Sequence, residues 1–146
     1  MNRRAFIDAQ GWVALKNPND RHFETAHQTY HSLSAVRTRL ITTNFVLDEA
    51  YTVLRREAGH HIAVELGEEV RASKILRVVH IGQNLPEEAW ELFKNRDSTL
   101  NWSFTDCTSF VVMRRLQIQE ALTFDHDFEQ AGFVALLRRL STGMKS

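Results

Sequence analysis

Short apolar runs alternate with longer segments in which apolar residues recur every three or four positions, and this rhythm sets out the elements of the chain. Arg4-Ala5-Phe6-Ile7-Asp8 is an apolar run ending on an acid, and Ala9 to Leu15 follows as a short helix. After the turn cluster Asn17-Pro18-Asn19-Asp20, the residues Phe23, Ala26, Tyr30 and Leu33 lie along one side of a helix over about 21–35. Leu40-Ile41-Thr42 is a second strand, and Thr42 or Thr43 caps a helix that runs to about Ala58 and stops before Gly59. His60 to Ser73 repeats the helical pattern with Ile62, Ala63, Leu66 and Val70, and Ile75 to Ile81 is a third strand closed by Gly82. Asn84-Leu85-Pro86-Glu87 combines a capping side chain, an early proline and an acid three residues on, starting a helix that ends near Asn95.

Asp97 to Asn101 reads as a loop, Ser103 to Leu116 as a helix, Glu120 to Phe124 as a fourth strand and Asp127 to Ala131 as a short helical turn before Gly132. Phe133 to Leu137 fits a last edge strand or a helix, and the pattern leaves that open. Strands alternating with helices predict a three-layer α/β/α arrangement around a mainly parallel sheet of four to five strands, because parallel neighbours need crossover helices. In such sheets functional groups gather beyond the carboxyl ends of the strands, where Asp8 and Asp125 fall.

Bulk properties narrow the picture further. The 146 residues suit one domain spanning 1–146, with 43% apolar and 25% charged residues, which is ordinary for a globular protein and wrong for disorder. Eighteen basic residues balance eighteen acidic ones, so nucleic-acid binding must rest on local patches or bound cations rather than net charge. One cysteine, Cys107, excludes an internal disulfide, and no apolar run approaches the ~18 residues of a membrane span. With no signal-like apolar stretch behind Arg3-Arg4, a cytoplasmic location is expected.

Several acids stand where hydrophobes would be expected. Glu49 shares a helical face with Phe45, Val46 and Val53, whereas Asp48 lies beside Asn44, Tyr51, Thr52 and Arg55, so Glu49 is the functional candidate and Asp48 the solvated one. Asp106 opens an aromatic-rich helix beside Phe110 and Met113; Ser103-x-x-Asp106 equally matches a capping box. Asp125 can be a helix cap and Asp8 a turn residue. Four acids at the inner ends of separate elements are harder to explain one by one. Together they repel unless protonated or bound to a cation, and oxygen-only ligands suit Mg²⁺ or Mn²⁺. Such ions activate water and stabilise the leaving oxygen of a phosphodiester, and they offset repulsion between an acidic site and phosphate.

The residues Phe6-Ile7-Asp8 with Trp12-Val13-Ala14-Leu15, Ile41 to Glu49, Phe104-Thr105-Asp106, and Leu122-Thr123-Phe124-Asp125-His126-Asp127-Phe128 before Gly132-Phe133 resemble, in order and spacing, the PIN-domain endoribonucleases, in particular VapC-like toxins of toxin–antitoxin pairs. The resemblance implies Mg²⁺- or Mn²⁺-dependent cleavage of RNA, a homodimer and a small inhibitory antitoxin. It places the family's acids on Asp8, Glu49, Asp106 and Asp125, with Asp127 as an alternative or supporting acid and Thr123 and Thr105 as supporting hydroxyls. Relatives often carry a small hydroxyl residue after the first acid, whereas Ala9-Gln10 stands here.

Other chemistry is less well supported. Seven histidines, including His27 and His31 on one helical face, occur without an HExxH or Cys/His pattern and read as solvated or structural. His126 is an exposed turn residue within reach of RNA phosphate, and Cys107 a small core residue. The chain holds neither GxxxxGK[ST] nor GxGxxG. The doublets Arg3-Arg4, Arg55-Arg56, Arg114-Arg115 and Arg138-Arg139 read as solvated ends, of which one or two line an RNA path; Trp12, Trp90 and Trp102 read as core or interface anchors. Against the nuclease stand a catalytically silent PIN-like scaffold that binds protein, and a phosphoacceptor receiver domain. The receiver reading wants paired acids at the first strand and an acid ending the third, but Asp8 is alone and the third strand ends His80-Ile81-Gly82.

Overall fold

The computed structural model describes residues 3–82, 86–95 and 99–138. Its elements are β1 (Arg4–Ile7), α1 (Ala9–Lys16), α2 (Phe23–Ala35), β2 (Arg39–Thr43), α3 (Asn44–Glu57), α4 (His60–Ala72), β3 (Leu76–Val79), α5 (Glu87–Asn95), α6 (Phe104–Arg115), β4 (Glu120–Leu122), α7 (His126–Gln130) and β5 (Val134–Ala135). The open stretch at 133–137 resolves into both of its readings: a two-residue strand, then a helical turn from Leu136. Asn84 and Leu85 of the expected helix start, Asp97 and Ser98 of the expected loop, and Arg139 of the last arginine doublet lie outside the described residues.

The strand order is β3-β2-β1-β4-β5, and all four pairings are parallel. β1 lies at the centre, where Ala5, Phe6 and Ile7 are fully buried, which explains why its sequence is continuously apolar rather than alternating. The chain runs outward from β1 to β2 and β3, then returns past β1 to β4. With right-handed crossovers, that reversal puts α1–α4 and α5–α6 on opposite faces. It also makes the crevice beyond β1 and β4 a topological switch point, the usual place for a site in an open parallel sheet.

Local chemistry fixes the ends of the elements near that crevice. Thr43 has extended backbone and its hydroxyl accepts from the Val46 amide at 3.1 Å, so it rather than Thr42 caps α3. The Thr42 hydroxyl turns inward instead, donating to the Ile7 carbonyl at 2.8 Å and meeting Trp12 Nε1 at 3.3 Å. Trp12 and Trp102 are buried as expected of anchors, while Trp90 is 47% exposed and packs with Phe93 and Phe104 at the surface. Among the described residues no helix is long and apolar enough to cross a membrane.

Candidate metal centre

A pit of about 670 Å³ opens beyond β1 and β4, and Asp8, Glu49, Asp106, Asp125 and Asp127 all line it. Asp8 is the first residue past β1 and only 3% exposed. Its amide reaches the Leu122 carbonyl at 3.4 Å, continuing the β1–β4 ladder by one more bond. Thr123, fully buried one residue past β4, donates its hydroxyl to Asp8 Oδ2 at 3.1 Å and accepts from the Asp125 amide at 3.0 Å. One threonine thus fixes two of the acids.

The capping and the ligand readings of Asp106 are compatible. Ser103 Oγ accepts from the Asp106 amide and Asp106 Oδ2 accepts from the Ser103 amide, each at 3.0 Å, forming a full capping box. Its other oxygen takes no part in the box, and the cap locks the carboxyl's orientation at the head of α6. Asp125 does the same for α7, accepting from the Asp127 amide at 2.9 Å through Oδ1. One carboxyl oxygen each from Asp106, Asp125 and Asp127 lies within 4.8 Å of the others, so Asp127 belongs to the tightest group of acids.

The electrostatics follow from this crowding. Burial, then the Asp106 charge, pushes the Asp8 carboxyl up to about 8, against the opposing pull of the Ala9 amide and the Thr123 hydroxyl. Asp106 rises to about 6, chiefly through burial, with Asp125 and Asp127 adding and the Ser103 bonds opposing. Asp127 is raised by burial and by Asp125. Carboxyls in this state take up protons or a cation, and an all-oxygen donor set fits a hard divalent ion.

Two expectations need correction. Glu49 is less buried than expected: Phe45, Val46 and Val53 on its helical side pack on or in the core, while Glu49 itself is solvent-exposed at the rim of the pit. Its carboxyl is still raised, by partial burial first and then by Asp125 and Asp48. Thr105 is not among the lining residues, and its carbonyl accepts from the Thr108 hydroxyl at 2.6 Å inside α6. His126 is exposed as expected, with Nδ1 2.9 Å from Glu129, and Cys107 is fully buried.

The pit also holds residues that the acid pattern did not pick out. Arg56 lines it because it follows Glu49 and Val53 at helical spacing, a signal present in the sequence but masked by its place in an Arg-Arg doublet. His22 lines it too, its ring stacked on Phe124 with centroids 3.3 Å apart and its amide bonded to Asp20 Oδ1. Nothing in the spacing of His22 announced that role.

The chain is similar to known proteins over most of its length. The PIN domain family matches residues 5–134. The 23S rRNA-specific endonuclease VapC20 of Mycobacterium tuberculosis (strain ATCC 25618 / H37Rv) is 42% identical over 129 residues, covering 88% of this chain and 95% of that protein. A VapC ribonuclease of Archaeoglobus fulgidus is 27% identical over 118 residues, covering 81% and 72% respectively. The crystal structure of M. tuberculosis VapC20, described as a sarcin-ricin loop cleaving toxin, superposes with a TM-score of 0.81 at 39% identity, covering 90% of this chain and 97% of that one.

Proposed function

Because the chain belongs to the PIN-domain family, we propose that it is a metal-dependent endoribonuclease whose acid pit hydrolyses RNA phosphodiesters with water as the nucleophile. The observation that carries this reading is the convergence of acids from separate elements on one pit, with Asp8 and Asp106 raised by burial and by the charges of neighbouring acids. We assign Asp8, Glu49, Asp106 and Asp125 to hold Mg²⁺ or Mn²⁺, with Asp127 supporting them or taking Asp125's place. When bound, such a cation lowers the pKa of a water and offsets repulsion between the acids and phosphate. The chain's own contribution is orientation: Thr123 fixes Asp8 and Asp125, the Ser103 box fixes Asp106, and Arg56 and His22 present polar groups to phosphate at the rim.

The toxin role, an antitoxin partner, a homodimer and a cytoplasmic setting belong to the same proposal. The exposed rings of Trp90 and Phe93 on α5 support a partnered surface, since apolar rings facing water are covered at low cost. VapC20's stated specificity for 23S rRNA makes large-subunit rRNA the substrate to try first.

Asp106→Asn keeps a side chain that can accept from the Ser103 amide, so the helix cap survives while a carboxylate charge is lost. Cleavage of rRNA in Mn²⁺ buffer is expected to fall by more than about 100-fold, exceeding the usual cost of losing an outer-shell partner, with the circular dichroism spectrum unchanged. EDTA should abolish wild-type cleavage, and restoring Mg²⁺ or Mn²⁺ separately identifies the ion that works. Undiminished cleavage by this variant would remove the site assignment. Absence of both metal binding by calorimetry and RNase activity in the partner-free protein would favour the silent scaffold. Comparing Asp125→Asn with Asp127→Asn ranks the two acids. Asp125, whose charge acts on Asp8, Glu49 and Asp106, is expected to show the larger loss, and a larger loss at Asp127 would exchange their roles.

A further inference from the structure

At the other end of the sheet, where β1, β2 and β3 begin, lies a second cavity of about 620 Å³ lined by Arg4, Arg37, Arg39, Lys74 and Arg77. No carboxylate lines it, and none of these five has an ion pair with an acid among the described residues. In a chain whose formal charges cancel, this is a pronounced local excess of positive charge. A second observation is independent of charge. Thr38 also lines the cavity, is only 8% exposed, and its hydroxyl finds no hydrogen-bond partner among the described residues. A buried hydroxyl left unpaired costs free energy unless something brought to it accepts the bond.

The backbone points the same way. α2 ends in a Schellman turn, with the Thr38 amide bonded to the Leu33 carbonyl and the Arg37 amide to the Ser34 carbonyl, each at 3.0 Å. Its left-handed position is filled by Arg37, with φ 55°, where glycine would be the unstrained choice. Gln117 takes the same position after α6, with φ 57°, so what sets Arg37 apart is its place among four more cations. Guanidinium forks match phosphate oxygens two at a time.

We propose that this cavity is an RNA-backbone exosite, engaging phosphates of the substrate remote from the scissile bond; it rests on the reading of the acid pit as an RNA nuclease site. The pit is rich in acids and offers phosphate little attraction of its own, so affinity for a long RNA must come from elsewhere on the surface. Strands of four to five residues put the two sites on the order of 15 Å apart along the sheet, a span that a folded RNA can bridge and a dinucleotide cannot.

The test compares wild type with the triple variant Arg39→Gln/Lys74→Gln/Arg77→Gln, and separately with Arg37→Gly. Binding of a structured rRNA fragment is read by fluorescence anisotropy in EDTA, which prevents cleavage, and a dinucleotide is followed by its cleavage in Mn²⁺. For the triple variant the rRNA fragment is expected to bind about tenfold or more weakly, with the salt slope reduced by about 2, at roughly 0.7 for each single-strand phosphate that is no longer neutralised. Cleavage of the dinucleotide in Mn²⁺ should be unchanged. Arg37→Gly should raise the melting temperature while weakening the rRNA fragment, which damage to folding cannot do. Equal losses for both RNAs, or no loss for either, would overturn the exosite. Intact RNA affinity with lost affinity for a purified antitoxin would give the cavity to a protein instead. A wild type that cleaves RNA but shows no difference between the two RNAs sinks the exosite alone, whereas a wild type that neither binds nor cleaves RNA sinks the nuclease reading with it.

Discussion

Replacing Asp8 with asparagine is expected to abolish RNA cleavage and, in EDTA at pH 8, to make the protein more stable than wild type. The sign follows from proton linkage. The folded-state pKa of Asp8 is raised from 3.8 to about 8, so the folded protein holds this proton more tightly than the unfolded chain. The stabilisation from that proton is whole below about pH 4 and is lost as pH rises towards about 8, where the buried carboxylate must ionise beside Asp106. Asparagine carries no charge to ionise, and its side-chain oxygen still accepts from the Thr123 hydroxyl. The melting temperature of the variant is therefore expected to exceed that of wild type by roughly 5–10 °C at pH 8, a gap of a few kcal/mol, closing towards pH 4. Adding Mn²⁺ should raise the wild-type melting temperature and leave the variant nearly unmoved, because only wild type keeps this carboxylate for the ion. A variant less stable than wild type at pH 8 in EDTA would show that Asp8 contributes to the fold by hydrogen bonding rather than straining it by charge.

That conflict between fold and site also explains what could be read from the residues alone. The strands and helices were legible because each buried face announces its own period, and Asp8, Asp106 and Asp125 stood out because acids interrupt those faces. Thr123 came only through the family resemblance; its bonds to Asp8 and to the Asp125 amide needed the structure. Glu49 shares the face that spacing assigns it but is exposed, because helical spacing says which side chains share a face and not how deeply each is buried. Arg56 needed the same face followed one turn further. His22 could not be found at all: it reaches the pit only because the turn at Asp20 folds its ring onto Phe124, a contact about 100 residues away in sequence. The basic cavity was likewise invisible, since its cations come from the starts of three strands and the turn after α2, and adjacency there is created only by the parallel register.

Gly11 shows most sharply how closely the fold is drawn around the pit, and Gly11→Ala is the second large effect expected. Helix propensity alone predicts that alanine in α1 would gain about 1 kcal/mol over glycine. Geometry reverses the sign: a Cβ on Gly11 would stand 2.2 Å from the Leu122 carbonyl oxygen and 3.3 Å from Ile7 Cγ2. The first obstacle is backbone, which cannot swing aside as a side chain would. The same carbonyl receives the Asp8 amide and precedes Thr123, so displacing it disturbs the threonine that holds both Asp8 and Asp125. A loss of about 3 kcal/mol is expected, at the upper end for overpacking, seen as a melting temperature lower by roughly 10 °C together with weakened cleavage. Gly67→Ala in α4 is the control, since its Cβ would meet only Arg71 and Tyr51 side-chain atoms at 3.6 Å or more. There propensity should prevail, with unchanged or slightly higher stability and full activity. If both substitutions stabilise, α1 has room to move off β4, and the close approach that sets Asp8 against Thr123 is not what holds the pit in shape.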